Sequence, residues 1–240
     1  LATAQPLVAP LQCPDTAAAI VIVAQSLQPD LAQGFQIDAL RLRLEMERAF
    51  GGSDATGAWD WKLAYEAGEV ALVLFLRKFG RALLARAGSL DALMPILAKV
   101  SGLLPTHTRR SEEMERFQQF STPLPMGLTA LAAAKITHAD LVLEPSAGTG
   151  LLAILAEIAG GALALNELAE TRADLLRLLF PGRSVTCFDA AQIDDHLDTG
   201  LRPSVILMNP PFSAVANVDG RNTEATARHL RSALARLAPG

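Results

Sequence analysis

Cysteine, aromatic residues, long apolar runs and surplus positive charge are all scarce in this chain of 240 residues, and each shortage excludes something. The two cysteines, Cys13 and Cys187, lie far apart with no Cys or His at metal spacing around them. A disulfide framework and a zinc site are therefore not expected, and a reducing cytoplasm is the default location. No apolar run approaches the roughly 20 residues of a membrane span. The nearest candidate, residues 17–24, is shorter and lacks a basic segment before it, so it does not read as a signal peptide. The formal net charge of -4 argues against a polycation built to coat nucleic acid. Aromatics make up only 5% of the chain while half of it is hydrophobic, with Ala and Leu prominent, which is a helix-rich globular composition. Internal repeats and low-complexity tracts are also missing.

The first half is helical in pattern. Residues 1–14 carry three prolines and no periodicity, and read as a linker or arm. Asp15 or Thr16 caps a helix expected to run to about Leu27 and to end at Pro29. A second helix is expected over 35–50, with Phe35, Leu40, Leu44 and Ala49 on its apolar side and Arg41, Arg43, Glu45 and Glu47 outside it. A long helix follows over 59–87, interrupted only weakly by Gly68 and Gly80, and Ser89 caps another to about Val100. Trp59, Trp61 and Tyr65 read as core anchors. The linking segment holds a small basic spot, His107, Arg109 and Arg110, which is either a solvated hinge with a helix capped by Ser111 or a phosphate contact. The division this gives is an arm (1–14), a helical domain (15–104), a hinge (105–119) and a second domain (120–240).

From Leu141 the period changes. Short apolar strands are expected at 141–143, 162–165, 185–188 and 205–208, alternating with helices at 151–159 and 169–180 and followed by a helix over 224–237. This pattern specifies an open parallel sheet wound with helices. The final helix should return toward a fifth strand that the sequence does not contain. A chain that opens on Leu1 and stops at Ala238-Pro239-Gly240, a turn signal, reads as a piece of a longer protein.

The loops after these strands carry the chemistry. Glu144-Pro145-Ser146-Ala147-Gly148-Thr149-Gly150 joins a strand to a helix, with Gly148 and Gly150 permitting positive φ and close approach to a ligand. It is not a phosphate loop, for no Lys-Ser/Thr follows the last Gly, nor a full dinucleotide fingerprint. The second strand ends at Asn166-Glu167, where a carboxylate could accept hydrogen bonds from ribose hydroxyls. The third ends at Asp189, which could accept from an adenine amino group while Phe188 or Ala190 touches the ring. Asn209-Pro210-Pro211-Phe212 is a stiff loop lacking two backbone donors. It can hold the Asn209 amide and the Pro210 carbonyl as acceptors for a planar exocyclic amine, with Phe212 as a stacking face. Orientation and dipoles would then carry catalysis without a proton-abstracting base.

Phe120-Ser121-Thr122-Pro123, residues 144–150, Asn166-Glu167, Asp189 and residues 209–212 together resemble the S-adenosylmethionine-dependent amino-methyltransferases of the N6-adenine DNA type. The resemblance covers 120–240. It implies a Rossmann-like class I methyltransferase sheet, incomplete at its carboxyl end, preceded by an all-helical N-terminal domain. It also implies S-adenosylmethionine as cofactor, with Phe120, Thr122, Pro123 and the loop of Glu144, Ser146, Ala147, Gly148 and Gly150 around its methionine part. Glu167, beside Asn166, would take the ribose, and Asp189 with Ala190 the adenine. Asn209 and Pro210 would hold the target amine, Pro211 would stiffen the loop, and Phe212 would stack on a flipped base.

The fuller sequence, including 51–61 and 105–111, resembles the N-terminal methylase-like region of bacterial strawberry notch-like helicase proteins, which implies a helicase portion in the same longer chain and DNA as partner. The sequence departs from the family in ending before its target-recognition segment and in its acidity. Arg221, Arg228, Arg231 and Arg236 could flank a phosphate path or form a solvated helix face. The expected function is transfer of a methyl group to an exocyclic amine, adenine N6 of DNA first. RNA or protein-glutamine amines, or a non-catalytic cofactor- or DNA-binding module of a helicase, are the alternatives.

Overall fold

A computed structural model describes residues 15–105, 122–210 and 223–239. The segments holding Cys13, His107, Arg109, Arg110, Ser111, Phe120, Ser121, Pro211, Phe212 and Arg221 lie outside the described residues.

Four helices come first: α1 (Thr16–Gln33), α2 (Ala39–Phe50), α3 (Trp61–Ala87) and α4 (Leu90–Ser101). The side chains of Asp15, Asp38, Asp60 and Ser89 accept backbone amide hydrogens in the first turns of the four helices. Each satisfies a donor that the helix itself leaves unpaired. After α5 (Leu124–Ala134) the order is β1 (Leu141–Glu144), α6 (Leu151–Ala159), β2 (Ala162–Asn166), α7 (Glu170–Leu179), β3 (Ser184–Thr186), the short α8 (Ile193–His196), β4 (Val205–Ile206) and α9 (Thr223–Leu234).

The four strands form one parallel sheet in the order β3-β2-β1-β4. Leu141 lies opposite Ala162, Leu143 opposite Ile206 and Ala164 opposite Ser184. Successive strands therefore step to one side of β1, and the chain then crosses back to lay β4 on the other. That reversal makes β1 and β4 a switch point, where a crevice opens beyond the strand ends. The expected Rossmann-like sheet and helical N-terminal region are both present.

The sheet helix α6 is buried almost all round: Leu151, Leu152, Ala153, Ile154, Leu155 and Ala156 are all core residues. The reason is α3, which packs on its outer side, so that both parts of the chain share one hydrophobic cluster. Gly80 permits this approach. A Cβ there would meet Ile158 Cδ1 at 2.4 Å, so the glycine is a contact surface where the sequence suggested a mild interruption. Arg77 pairs with Glu157 at 3.4 Å across the same seam.

Two helical expectations need correction. Pro29 does not end α1, which continues to Gln33 and is closed by Gly34 at φ 75°. A proline removes an amide and obstructs the preceding turn, yet the helix continues for a further turn beyond it. In α2 the apolar side assigned from the sequence faces outward: Phe35, Leu40 and Leu44 are at least half exposed. The buried face is Leu42, Glu45 and Met46, following Ile37. Arg41 and Arg48 bracket the Glu45 carboxylate and make its burial tolerable. Trp59 and Tyr65 are buried as expected of anchors, and the indole of Trp59 donates to the Gly52 carbonyl at 2.9 Å.

Candidate functional site

The loop after β1 is held from below. The Ala147 amide donates to the Asn166 carbonyl at 2.9 Å, and the Gly148 amide donates to Glu167 Oε2 at 2.8 Å. The second Glu167 oxygen accepts from the Ala169 amide at 3.0 Å. The two loop glycines differ in purpose. A Cβ on Gly150 would lie 2.6 Å from the Phe180 ring, so that residue is required by packing; Gly148, at φ 56°, faces open space. Only Gly148 offers a ligand the close backbone approach expected of both.

Asn166 is fully buried and its amide is saturated. Nδ2 donates to the carbonyls of Pro145 and Phe188, both at 2.9 Å, while Oδ1 accepts from Thr186 Oγ1 at 2.8 Å and the Phe188 amide at 3.0 Å. Four bonds fill its capacity. It ties the ends of β1, β2 and β3 together and so sets where Glu167 and the loop stand.

Across the switch point, Leu207 continues the pairing of β4 by donating to the Leu143 carbonyl at 3.0 Å, and Asn209 follows. Asn209 Nδ2 donates to Thr122 Oγ1 at 3.0 Å. One pocket collects Thr122, Glu144, Ser146, Ala147, Gly148 and Asn209. Residues separated by as many as 87 positions in sequence are thus brought to one place.

Three further residues in this region were not anticipated. Glu69, from α3, and Arg172, from α7, line the same pocket. Thr149 Oγ1 donates to Glu69 Oε2 at 2.7 Å, and Arg172 Nε donates to Glu66 Oε1 at 2.7 Å. Both glutamates are buried. The signal was present in the sequence as two acids inside the otherwise apolar Ala64-Tyr65-Glu66-Ala67-Gly68-Glu69-Val70-Ala71. A charge in such a run must be paired or functional.

The electrostatics of the pocket follow from burial. Desolvation, reinforced by the nearby Glu167 carboxylate, raises the Glu144 carboxyl well above its usual range. Its Oε2 is buried without a hydrogen-bond partner. Burial also raises Glu66, against the opposing pull of Arg172 and Lys62. For Arg172, burial alone would favour the neutral form, but Glu66, Glu167 and Glu69 outweigh it and hold the guanidinium charged.

The end of β3 is different in character. Asp189 caps the turn after β3 by accepting from the Ala191 amide at 2.9 Å, and 52% of its side chain is exposed. Its neighbour Ala190 is buried, and Phe188 stacks on His196 with ring centroids 4.7 Å apart. Asp189, Ala190 and Asn166 do not line the pocket around Glu144; Pro123 lines an adjoining apolar cavity of about 330 Å³ that shares Glu69, Thr122 and Leu151 with it. Pro210 is half-buried beside Asn209. Arg228 and Arg231 are exposed, whereas Arg236 is buried and donates to the Asp198 and Leu201 carbonyls, which corrects its reading as a phosphate contact. Among the described residues no three His, Cys, Asp or Glu side chains form a group able to hold a metal ion, and no helix is long and apolar enough to cross a membrane.

No family model and no curated protein matches the chain. Similar solved structures include a candidate RNA methyltransferase from Pyrococcus horikoshii (22% identity, TM-score 0.45, covering 62% of this chain and 69% of that one). TrmN from Thermus thermophilus is similar at 20% identity and TM-score 0.41, over 62% of this chain and 53% of its own. DesVI from Streptomyces venezuelae follows at 18% and 0.35, over 55% of each. Values this low carry no argument about chemistry. The functional reading rests on the site itself.

Proposed function

We propose that the chain is an S-adenosylmethionine-dependent methyltransferase acting on an exocyclic amine, with adenine N6 of DNA as its first substrate. The observation that carries the reading is the bond from Asn209 to Thr122 on the rim of the pocket that also holds Glu144 and Gly148. It joins the amine-binding loop to the cofactor side of the crevice in one rigid contact. The residues fit such a cofactor: an open face at Gly148, an unsatisfied buried oxygen on Glu144, and carboxylates at the ends of β2 and β3.

When bound, S-adenosylmethionine supplies an electrophilic methyl group. The protein's part is orientation. Because Nδ2 of Asn209 is committed to Thr122, Oδ1 is the atom assigned to accept a hydrogen from the target amine, with the Pro210 carbonyl as second acceptor. Two acceptors fix the plane of the amine and aim its lone pair, and fixed dipoles of this kind act without reorganising during the reaction. Glu167, oriented by two backbone amides, is assigned to the ribose, and Asp189 to the adenine amino group.

DNA and a helicase portion of the same longer chain are the partners this reading proposes. An RNA or protein-glutamine amine would suit the same acceptors, and a module that binds cofactor or DNA without catalysis is the rival; the net charge of -4 favours that rival. The test is transfer of a labelled methyl group to adenine-containing duplex, single-stranded RNA and a glutamine peptide. Asn209→Ala should lower transfer by about two to three orders of magnitude while cofactor binding persists. Undiminished turnover in that variant contradicts the amine-steering role, and no turnover on any of the three favours the non-catalytic module.

A further inference from the structure

The pocket beneath the Gly148 loop holds more carboxyl groups than its single guanidinium can balance. Glu69, Glu144 and Arg172 line it, with Glu66 bonded to Arg172 and Glu167 bonded to the loop amides immediately behind. Two of these groups already have their satisfaction in the fold: Glu66 through Arg172, at 2.6 Å from Nη2, and Glu167 through two backbone donors. Glu144 does not, because its Oε2 is buried without a partner. A buried, unsatisfied acceptor is costly, and a ligand that donates to it would remove that cost. A pocket lined by both acids and a guanidinium offers partners to both ends of a zwitterion: acceptors for an ammonium and the arginine for a carboxylate.

We propose that the helical half supplies a working residue of this pocket. Glu69 of α3 takes the protonated amino group of the cofactor's amino-acid end, with the unpartnered Oε2 of Glu144 as a further acceptor, and Arg172, held in place by Glu66, takes its carboxylate. This rests on the methyltransferase reading and deepens it by extending the cofactor site to a segment outside the sheet. It also gives a use to Glu69, an acid buried in the apolar run of α3. Thr149 orients Glu69 by donating to Oε2 at 2.7 Å, so the carboxylate is fixed before a ligand arrives.

The experiment is calorimetric titration of the protein and its Glu69→Gln variant with two ligands. S-adenosylhomocysteine carries the amino-acid end; 5′-methylthioadenosine lacks it. Glutamine keeps an acceptor for Thr149, and the unfolding temperature of the variant shows that the fold is intact. The expected result is a loss of about tenfold or more in affinity for S-adenosylhomocysteine with no change for 5′-methylthioadenosine. An equal loss for both ligands would make Glu69 a structural residue, and unchanged affinity for both would remove it from the site; either overturns the proposal. If the unaltered protein binds neither nucleoside, the methyltransferase reading itself fails and this inference goes with it.

Discussion

At the β1 end of the crevice the carboxyl groups of Glu144 and Glu69 are sunk below 10% exposure, and the bond from Thr149 to Glu69 crosses from the β1 loop to α3. At the β3 end Asp189 stands with 52% of its side chain exposed, bonded to its own turn. The same residue class thus works in two dielectric settings a few strands apart. Burial gives the first end strong, directional electrostatics at the cost of a raised Glu144 carboxyl and a dependence on exact pairing. Exposure gives the second end an acid that water screens and that contributes modestly. The difference has a structural cause: α1 and α3 lie over α6 and α7, so the helical half closes one end of the crevice only.

The largest expected break in this comparison is at Arg172. Arg172→Ala removes the hydrogen-bonded partner of buried Glu66 and should destabilise the fold by about 3–5 kcal/mol, measured by denaturant unfolding. Replacing both partners with apolar residues, Glu66→Leu with Arg172→Met, should recover most of that loss. A single variant within 1 kcal/mol of the parent would mean that the pair is effectively solvated and that the two ends are not different after all.

A smaller effect is expected at Glu144, and its sign is set by the raised carboxyl. Around the ordinary value of 4.5 the unfolded chain begins to ionise while the folded group stays protonated. The group's contribution to stability is therefore whole below that pH and is lost as pH rises through the folded value. Glu144→Gln removes the dependence, so its unfolding temperature should gain on the parent as pH is raised from 4 toward 8, by roughly several degrees. A gap between the two proteins that stays constant with pH contradicts a protonated, buried Glu144.

The smallest effect belongs to the exposed end. Asp189→Ala should weaken S-adenosylmethionine by no more than about tenfold, the worth of one partly solvated hydrogen bond, with little change in stability. Unchanged affinity removes Asp189 from the adenine subsite.

The sheet was legible because its strands are short, apolar and stopped by Gly, Pro or acids, which is the pattern of strands buried on both faces. The crevice was legible for the same reason, since its loops follow those stops: Thr122, Glu144, Ser146, Gly148 and Asn209 do meet in one pocket. What periodicity could not show is which surface packs on which. Leu40 and Leu44 looked like the buried side of α2 because apolar residues usually are, yet Leu42 and Met46 face the core and Glu45 is carried inward between two arginines. Pro29 looked terminal because a proline removes a backbone donor and crowds the preceding turn, yet α1 runs past it to Gln33. Glu66 and Glu69 were hidden for a related reason: their partners, Arg172 and Thr149, are 106 and 80 residues away.

The central claim is that the crevice between β1 and β4 is a cofactor site. It is tested most directly by titrating the protein with S-adenosylmethionine in a calorimeter. The account predicts saturable binding at one site per chain. A folded protein that shows no binding heat and no shift in unfolding temperature at millimolar S-adenosylmethionine, a concentration matched to affinities of about −4 kcal/mol, contradicts it.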